Sequence, residues 1–202
     1  MTIEAGDIVL RDFLAQDIEK RITWETTETE WQLWDAPWEH EGVSEEERQR
    51  ELDCYIADMQ RWAERFRDLP DDVPRMGFQI ATRAGEYIGW CNAYHIDKDC
   101  IITPEDGLCT IGISIPERSA RGKGYAYQAL IAFIGYLRQQ GVDDIYLQTW
   151  SGNERMIHIA QKMGFAEHRR KTGIRTVRGK SYDGLTFRLD LERYAAFCRE
   201  RR

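Results

Sequence analysis

The sequence predicts an α/β (α+β) protein, with a single mixed, mostly antiparallel sheet of about seven strands and helices on both faces. Three observations predict it. Short apolar stretches of strand character are interleaved with longer stretches of helical period, in the order strand, two helices, three strands, helix, strand, helix, two strands. The 202 residues, 42% of them hydrophobic, suffice for one core of ordinary domain size. No internal repeat or low-complexity linker divides the chain, so one sheet covered by helices is the economical architecture.

Each element has its own reason. Ile8-Val9-Leu10-Arg11 reads as the first strand, and Leu14, Ile18 and Ile22 step by four as on a helix face. Residues 24–47 carry Trp24, Trp31, Trp34 and Trp38 among many acids, and Pro37 disfavours helix at the residue before it. Ser44 and Glu47 have the spacing of a capping box, and Leu52, Tyr55, Ile56, Met59, Trp62, Ala63 and Phe66 continue a helical stripe behind it. Leu69-Pro70 to Val73-Pro74 breaks that helix. Met76 to Thr82 and Tyr87 to Ile96 read as strands joined at Ala84-Gly85, and Leu108 to Ile115 as a third, ended by Pro116. Gly122 to Gln140 has helix periodicity closed by Gly141. Ile145 to Trp150 is a strand, Asn153 to Met163 a helix closed by Gly164, and 167–177 and 182–190 are strands around a hairpin at Arg178-Gly179-Lys180. Leu191, Tyr194, Ala195 and Cys198 mark a short last helix.

Composition excludes several classes. A disordered tail, a collagen-like fibre and a disulfide mini-scaffold do not fit. No uncharged apolar stretch is long enough to span a membrane, and Met1 to Asp7 lacks the pattern of a signal peptide. Cys54, Cys91, Cys100, Cys109 and Cys198 are odd in number and never two to four apart, which speaks for free thiols and a cytoplasmic protein. His40, His95, His158 and His168 have no metal-ligand spacing, so no metal is expected.

Net charge is −7, but residues 1–110 carry −15 and residues 111–202 carry +8. That split suits a basic half that takes an anion and an acidic half that takes a cation. Arg169, Arg170, Lys171, Arg175, Arg178 and Lys180 form a basic run, but no aromatic is interleaved and the chain is acidic, which speaks against nucleic acid.

The informative stretch is Ile111-Gly112-Ile113-Ser114-Ile115-Pro116, running through Glu117 to Ala120 into Arg121-Gly122-Lys123-Gly124-Tyr125-Ala126. A buried strand leads to a glycine-rich turn that opens a long helix. The first amides of a helix lack internal partners and lie at the positive end of its dipole, and glycines let a phosphate approach the backbone. The turn therefore suits a pyrophosphate. It lacks the spacing of a Walker loop and of the three-glycine dinucleotide fingerprint.

These residues resemble the GNAT superfamily of N-acetyltransferases. Arg121-Gly122-Lys123-Gly124-Tyr125-Ala126 is similar to its Arg/Gln-x-x-Gly-x-Gly/Ala signature. Trp150-Ser151-Gly152-Asn153-Glu154-Arg155-Met156, running on to Lys162-Met163-Gly164-Phe165, looks like the family's next strand, asparagine and helix ending. Gly179-Lys180-Ser181-Tyr182-Asp183 is similar to the end of the ribosomal-protein N-terminal acetyltransferase branch. The likeness is specific over 108–190 and looser over 1–107.

The resemblance implies one domain over 1–202, with 1–107 as the acceptor side and 108–190 as the acetyl-CoA-binding core. It implies that amides of the turn from Arg121 through Gly122, Lys123, Gly124 and Tyr125 to Ala126 hold the pyrophosphate of acetyl-CoA. The sheet would splay between its fourth and fifth strands, 108–115 and 145–150, and the pantetheine arm would pair there with the backbone of Ile113 and Ile115. Asn153 would contact the pantetheine. A primary amine, either a cationic small molecule or a protein N-terminus, would attack the thioester directly in a ternary complex, with strand amides near Ile113 stabilising the oxyanion. Trp34, Asp35 and Trp38 are the candidate acceptor residues, the tryptophans either walling a pocket or covering the core.

The departures are equally specific. Many relatives carry a glutamate base two residues before the Gly112 position, where this chain has Thr110, a residue that is no base at neutral pH. Many carry a tyrosine acid four residues before the Gly164 position, where this chain has Ala160. Thr110 and Asn153 are the residues left at the expected catalytic positions. The alternative reading is a CoA-binding sensor or interaction protein with little or no turnover. A homodimer is compatible with either.

Overall fold

The computed structural model describes residues 1–200. Its elements are β1 (Thr2–Ala5), β2 (Ile8–Arg11), α1 (Asp17–Thr26), 3-10 turns at Thr29–Leu33 and Pro37–Glu39, α2 (Glu45–Arg67), β3 (Gly77–Thr82), β4 (Tyr87–Ile96), β5 (Ile102–Thr103) and β6 (Leu108–Ser114). They continue with a 3-10 turn at Arg118–Ala120, α3 (Tyr125–Gln139), β7 (Ile145–Trp150), α4 (Glu154–Lys162), β8 (Phe165–Val177), β9 (Lys180–Leu189) and α5 (Leu191–Arg199).

The seven expected strands are present in one open, mostly antiparallel sheet of order β1-β2-β3-β4-β6-β7-β9-β8. Two short strands escaped the pattern. β1 pairs antiparallel with β2 through Thr2↔Arg11 to Ala5↔Ile8, and β5 pairs with β4 by two residues only. β5 is too short to show a periodicity, and β1, exposed and half-buried in alternation, lacks the apolar run that marks β2.

The chain forms two compact units, 1–91 with 114–129, and 92–113 with 130 onward. The first holds β1 to β3, α1 and α2. Ile8, Leu10, Trp24, Met59, Phe78, Ile80 and Ile88 are fully buried in it, and each such side chain contributes roughly 1.5–3 kcal/mol. The expected capping box of α2 is formed: Glu47 N–H donates to Ser44 Oγ at 3.2 Å and Ser44 N–H to Glu47 Oε2 at 3.0 Å. The start of α1 differs from expectation. Leu14 is exposed ahead of the helix, because the buried Asp17 carboxylate accepts from the Leu14 amide at 2.9 Å and from Arg11 at 2.6 and 2.7 Å. After α1 the chain turns at Ala36, which has a left-handed φ of 47°, and Pro37 opens the second 3-10 turn.

The second unit packs α4 on β7 and β8. β6 and β7 are its parallel pair, while β7–β9 and β8–β9 are antiparallel. Ile111, Phe133, Leu147, Ala160, Met163 and Phe187 form its buried core.

Candidate functional site

The turn expected to bind pyrophosphate is shaped by backbone handedness. Arg121 is extended, whereas Gly122 and Gly124 have φ of 75° and 79°. A Cβ at either glycine would meet no atom within 4 Å. Glycine is therefore demanded by conformation, at roughly 1–2 kcal/mol for an L-residue, and the space over the turn is open. Because these two residues are left-handed, α3 starts at Tyr125 rather than at Gly122.

Arg121 closes the turn. Its guanidinium donates to the carbonyls of Ile115 at 3.0 Å and Pro116 at 2.8 Å, and it forms an ion pair with Glu30. The other Glu30 oxygen accepts from Trp34 Nε1 at 3.1 Å. One carboxylate thus fixes both Trp34 of the acidic segment and Arg121 of the signature. Glu117, at the head of the same turn, accepts from the Ser119 amide at 3.1 Å and pairs with Lys20 at 2.6 Å. Burial would raise its carboxyl, but the bonds from Lys20 and Ser119 outweigh it and hold the pKa below the usual range. Lys123 is exposed on the turn, and Tyr125 and Ala126 are half-buried at the start of α3.

In the acidic segment the tryptophans divide. Trp24 is fully buried core, 4.9 Å from Tyr87 between ring centroids. Trp31 lies edge-on to Trp90 at 5.3 Å and donates to the Trp24 carbonyl at 2.8 Å. Trp34 and Trp38 are half-buried and Asp35 is exposed. Asp35 accepts a 2.8 Å hydrogen bond from Ser114 Oγ, on the last residue of β6. Glu25 is half-buried and accepts from Gln32 Nε2 at 3.0 Å. Desolvation raises the pKa of Glu25, against the lowering effects of the Gln32 bond and the Arg21 charge; the Asp35 charge raises it further. Arg21 is 5% exposed, stacks 3.4 Å from the centroid of Trp90 and donates to Tyr87 Oη at 2.6 Å.

In the second unit β6 and β7 pair through Cys109↔Ile145, Thr110↔Tyr146 and Ile111↔Leu147. β7 goes on pairing with β9 as far as Trp150↔Gly184, while β6 runs on past Ile111 without further register to β7. The two strands splay beyond Ile111, between the two strands where the resemblance implied it. Ile113, half-buried, lies in the splayed part of β6, and Ile115 follows its end. Thr110 is fully buried and donates to its own strand, at the Leu108 carbonyl, at 3.2 Å. Asn153 caps α4, with Oδ1 accepting from the Met156 amide at 3.1 Å. In the basic run, Arg170 pairs with Glu167 and Asp183, Arg169 with Asp99, and Lys171 donates to the Cys100 carbonyl at 3.3 Å.

The model of the acetyltransferase (GNAT) domain family matches residues 7–166. The chain belongs to the GNAT acetyltransferases. Members of this family are acetyl-CoA-dependent N-acetyltransferases, and that is the enzyme class of this chain. Solved structures share the GNAT fold with it. A spermidine N-acetyltransferase from Vibrio cholerae, solved with CoA and spermine, has a TM-score of 0.64 at 14% identity, covering 94% of this chain and 99% of its own. The ribosomal-protein-S5-alanine acetyltransferase from Vibrio fischeri has a TM-score of 0.64 at 14% identity, covering 93% and 95%. A GNAT-family acetyltransferase from Bacillus anthracis has a TM-score of 0.63 at 14% identity, covering 95% and 99%. No curated protein matches in sequence.

Several residues of this GNAT chain lay outside the sequence reading. Glu30 is 91 positions from Arg121, and no local pattern signals that pair. Ser114 lies in the strand that leads to the glycine turn, and a hydroxyl at the end of that strand is its one local signal. Among the described residues no helix is long and apolar enough to cross a membrane, and no three His, Cys, Asp or Glu gather as metal ligands.

Proposed function

We propose that this chain transfers an acetyl group from acetyl-CoA to a cationic primary amine, by direct attack of the amine in a ternary complex. The observation that carries the reading is the glycine turn at the head of α3: two left-handed glycines, open above, with a helix N-terminus directly behind them. Such a turn presents amides and the positive end of the dipole to an anion without a side chain in the way. Amides of Gly122 to Ala126 hold the diphosphate, Arg121 keeps the turn in shape, and Lys123 adds a screened positive charge. The backbone of Ile113 and Ile115 pairs with the pantetheine, and Asn153 contacts it. In this reading residues 1–202 act as one acetyltransferase domain.

The acceptor class follows from charge. Residues 1–110 carry −15, and Asp35, flanked by Trp34 and Trp38, has its carboxylate oriented by Ser114. That arrangement attracts an ammonium group and repels an anion. The structural relatives that act as a spermidine and a ribosomal-protein acetyltransferase are consistent with either a polyamine or a protein N-terminus. The five free thiols suit action in the cytoplasm.

A second reading is favoured by Thr110, whose buried hydroxyl is spent on its own strand, and by the buried Ala160. On it the chain binds CoA and turns nothing over. Incubation with acetyl-CoA and a panel of amines, following free thiol and acetylated amine together, separates the two. Equal yields of thiol and acetylated amine are expected. Tight CoA binding without acetylated product would favour the second reading.

A further inference from the structure

We infer that Asn92 receives the acceptor: its side-chain carbonyl accepts an N–H of the attacking amine and holds the nitrogen over the strand that carries the acetyl group. The inference rests on the reading that acetyl-CoA lies along Ile113 and Ile115, and it names a residue that meets the amine there.

One face of the second unit places this side chain. Thr110 of β6 pairs with Tyr146 of β7, so the two share a face. Strand alternation puts Gly112 and Gln148 on that face, two residues further on. Tyr94 of β4 joins it, because its hydroxyl donates to Gln148 Oε1 at 3.4 Å and its ring packs with Ile96, Leu108 and Tyr146 around Cys100. Asn92 precedes Tyr94 by two residues and lies on the same face, with Oδ1 3.1 Å from the position a Cβ would take on Gly112. On the opposite face of β4, Cys91 and Ala93 are buried.

Three features set Asn92 apart. It is exposed although β4 is an interior strand of the sheet. The face is not simply a solvated one, since Ile96 and Tyr146 on it are buried, so it is closed and apolar at one end and open at Asn92. The polar groups beside it are already used: Gln148 Nε2 donates to the Cys100 carbonyl at 3.0 Å and to Thr186 Oγ1 at 3.1 Å. Among the described residues the Asn92 amide has no such partner. Its oxygen also sits over Gly112, the residue before Ile113, just past the last pair of β6 with β7. Gly112 has no left-handed φ, so its backbone alone does not call for glycine. The approach of Asn92 does, because a Cβ there would press on its oxygen.

The chemistry favours an amide over a carboxylate at this place. A primary amine offers N–H donors both as the ammonium and after losing a proton, and a neutral carbonyl oxygen accepts in either state. A carboxylate would favour the ammonium and so oppose the proton loss that attack requires. Asn92 thus holds the nitrogen without taking a proton from it and leaves its lone pair for the C–N bond.

The test compares Asn92→Leu and Asn92→Asp, both close to asparagine in size, with the native chain. The acceptor is the better of spermidine and an alanine-terminated peptide. Asn92→Leu removes the accepting oxygen, and kcat/KM for the amine should fall about three- to tenfold, the scale of one hydrogen bond. Asn92→Asp keeps an oxygen and adds charge, so the KM for the amine should hold or fall while kcat falls. Neither change should move the KM for acetyl-CoA or the melting temperature, since the side chain is exposed and has no partner within the chain. An unchanged kcat/KM for the amine in Asn92→Leu, equal rises of its KM in both variants, or a loss carried by the KM for acetyl-CoA would overturn the role of Asn92 and leave the proposed function standing. A native chain that binds acetyl-CoA yet acetylates neither acceptor would overturn both.

Discussion

Ser114, the last residue of β6, donates its hydroxyl to Asp35 of the tryptophan-rich segment at 2.8 Å. The bond joins residues 79 apart in sequence and sets an exposed carboxylate at the end of the strand on which acetyl transfer is expected. Its first consequence concerns Asp35. Asp35→Asn should raise the KM for a cationic amine by a few-fold, the scale of a partly screened charge pair, and leave the KM for acetyl-CoA in place. Ser114→Ala should do the same more weakly. If Asp35 only pins the local chain, the melting temperature falls and both KM values drift together.

The glycine turn gives a second prediction. Gly124→Asp places a carboxylate where the diphosphate approaches and an L-residue at a φ of 79°. Affinity for CoA should fall at least tenfold, about 1.4 kcal/mol, in a protein whose circular dichroism is native. Calorimetric titration with CoA measures it.

Arg121 and Glu30 give a third. Both side chains are 25% exposed, and the guanidinium also holds two carbonyls of the turn. Arg121→Gln should therefore weaken CoA binding through loss of turn shape, and Glu30→Gln should do so by less, because the carbonyl contacts remain. Equal effects of the two changes would mean that the ion pair, not the clasp on the carbonyls, sets the turn.

Thr110 gives a fourth. Its hydroxyl is buried on the Leu108 carbonyl, so Thr110→Val should cost about 0.5–1.5 kcal/mol of stability and leave the pH profile of the rate unaltered. Abolished activity in a folded Thr110→Val protein would show that the hydroxyl orients a catalytic water.

Acid stability gives a fifth. The Glu117 carboxyl lies below its ordinary range in the folded chain, where bonds from Lys20 and Ser119 outweigh the cost of burial. The folded state thus binds this proton only at lower pH than the unfolded chain. The contribution is complete above the ordinary carboxylate value of about 4.3 and is lost as pH falls through the lowered native value. Between pH 6 and pH 3, to take about the useful window, the melting temperature of the native chain should fall more steeply than that of Glu117→Gln. Parallel slopes would contradict the pairing.

What could be read from the sequence was what repeats or what is local. The helical stripe of α2, its Ser44–Glu47 cap and the Gly122–Gly124 turn announce themselves within a few residues, whereas the splay of β6 and β7 came only with the family resemblance. β1 and β5 did not announce themselves: β5 has only two residues, and β1, as short as β2, is exposed and half-buried in alternation and lacks the apolar run of Ile8 to Leu10. Leu14 has the spacing of the α1 face but lies outside the helix, because Asp17 holds Arg11 and the Leu14 amide ahead of it. Trp24 and Trp34 look alike in sequence, and only burial separates a core ring from one whose indole N–H reaches Glu30. The acceptor side was legible as charge but not as geometry. Glu30 and Ser114 acquire meaning from partners that tertiary folding brings to them.

Hydrogen exchange of the backbone amides with and without CoA tests the central claim most directly. Bound CoA should slow exchange at Gly122 to Ala126, where its diphosphate is held, and at Ile113 and Ile115, where its pantetheine pairs as an added strand. CoA that binds while the amides of Gly122 to Ala126 exchange as they do in the free protein would contradict the account.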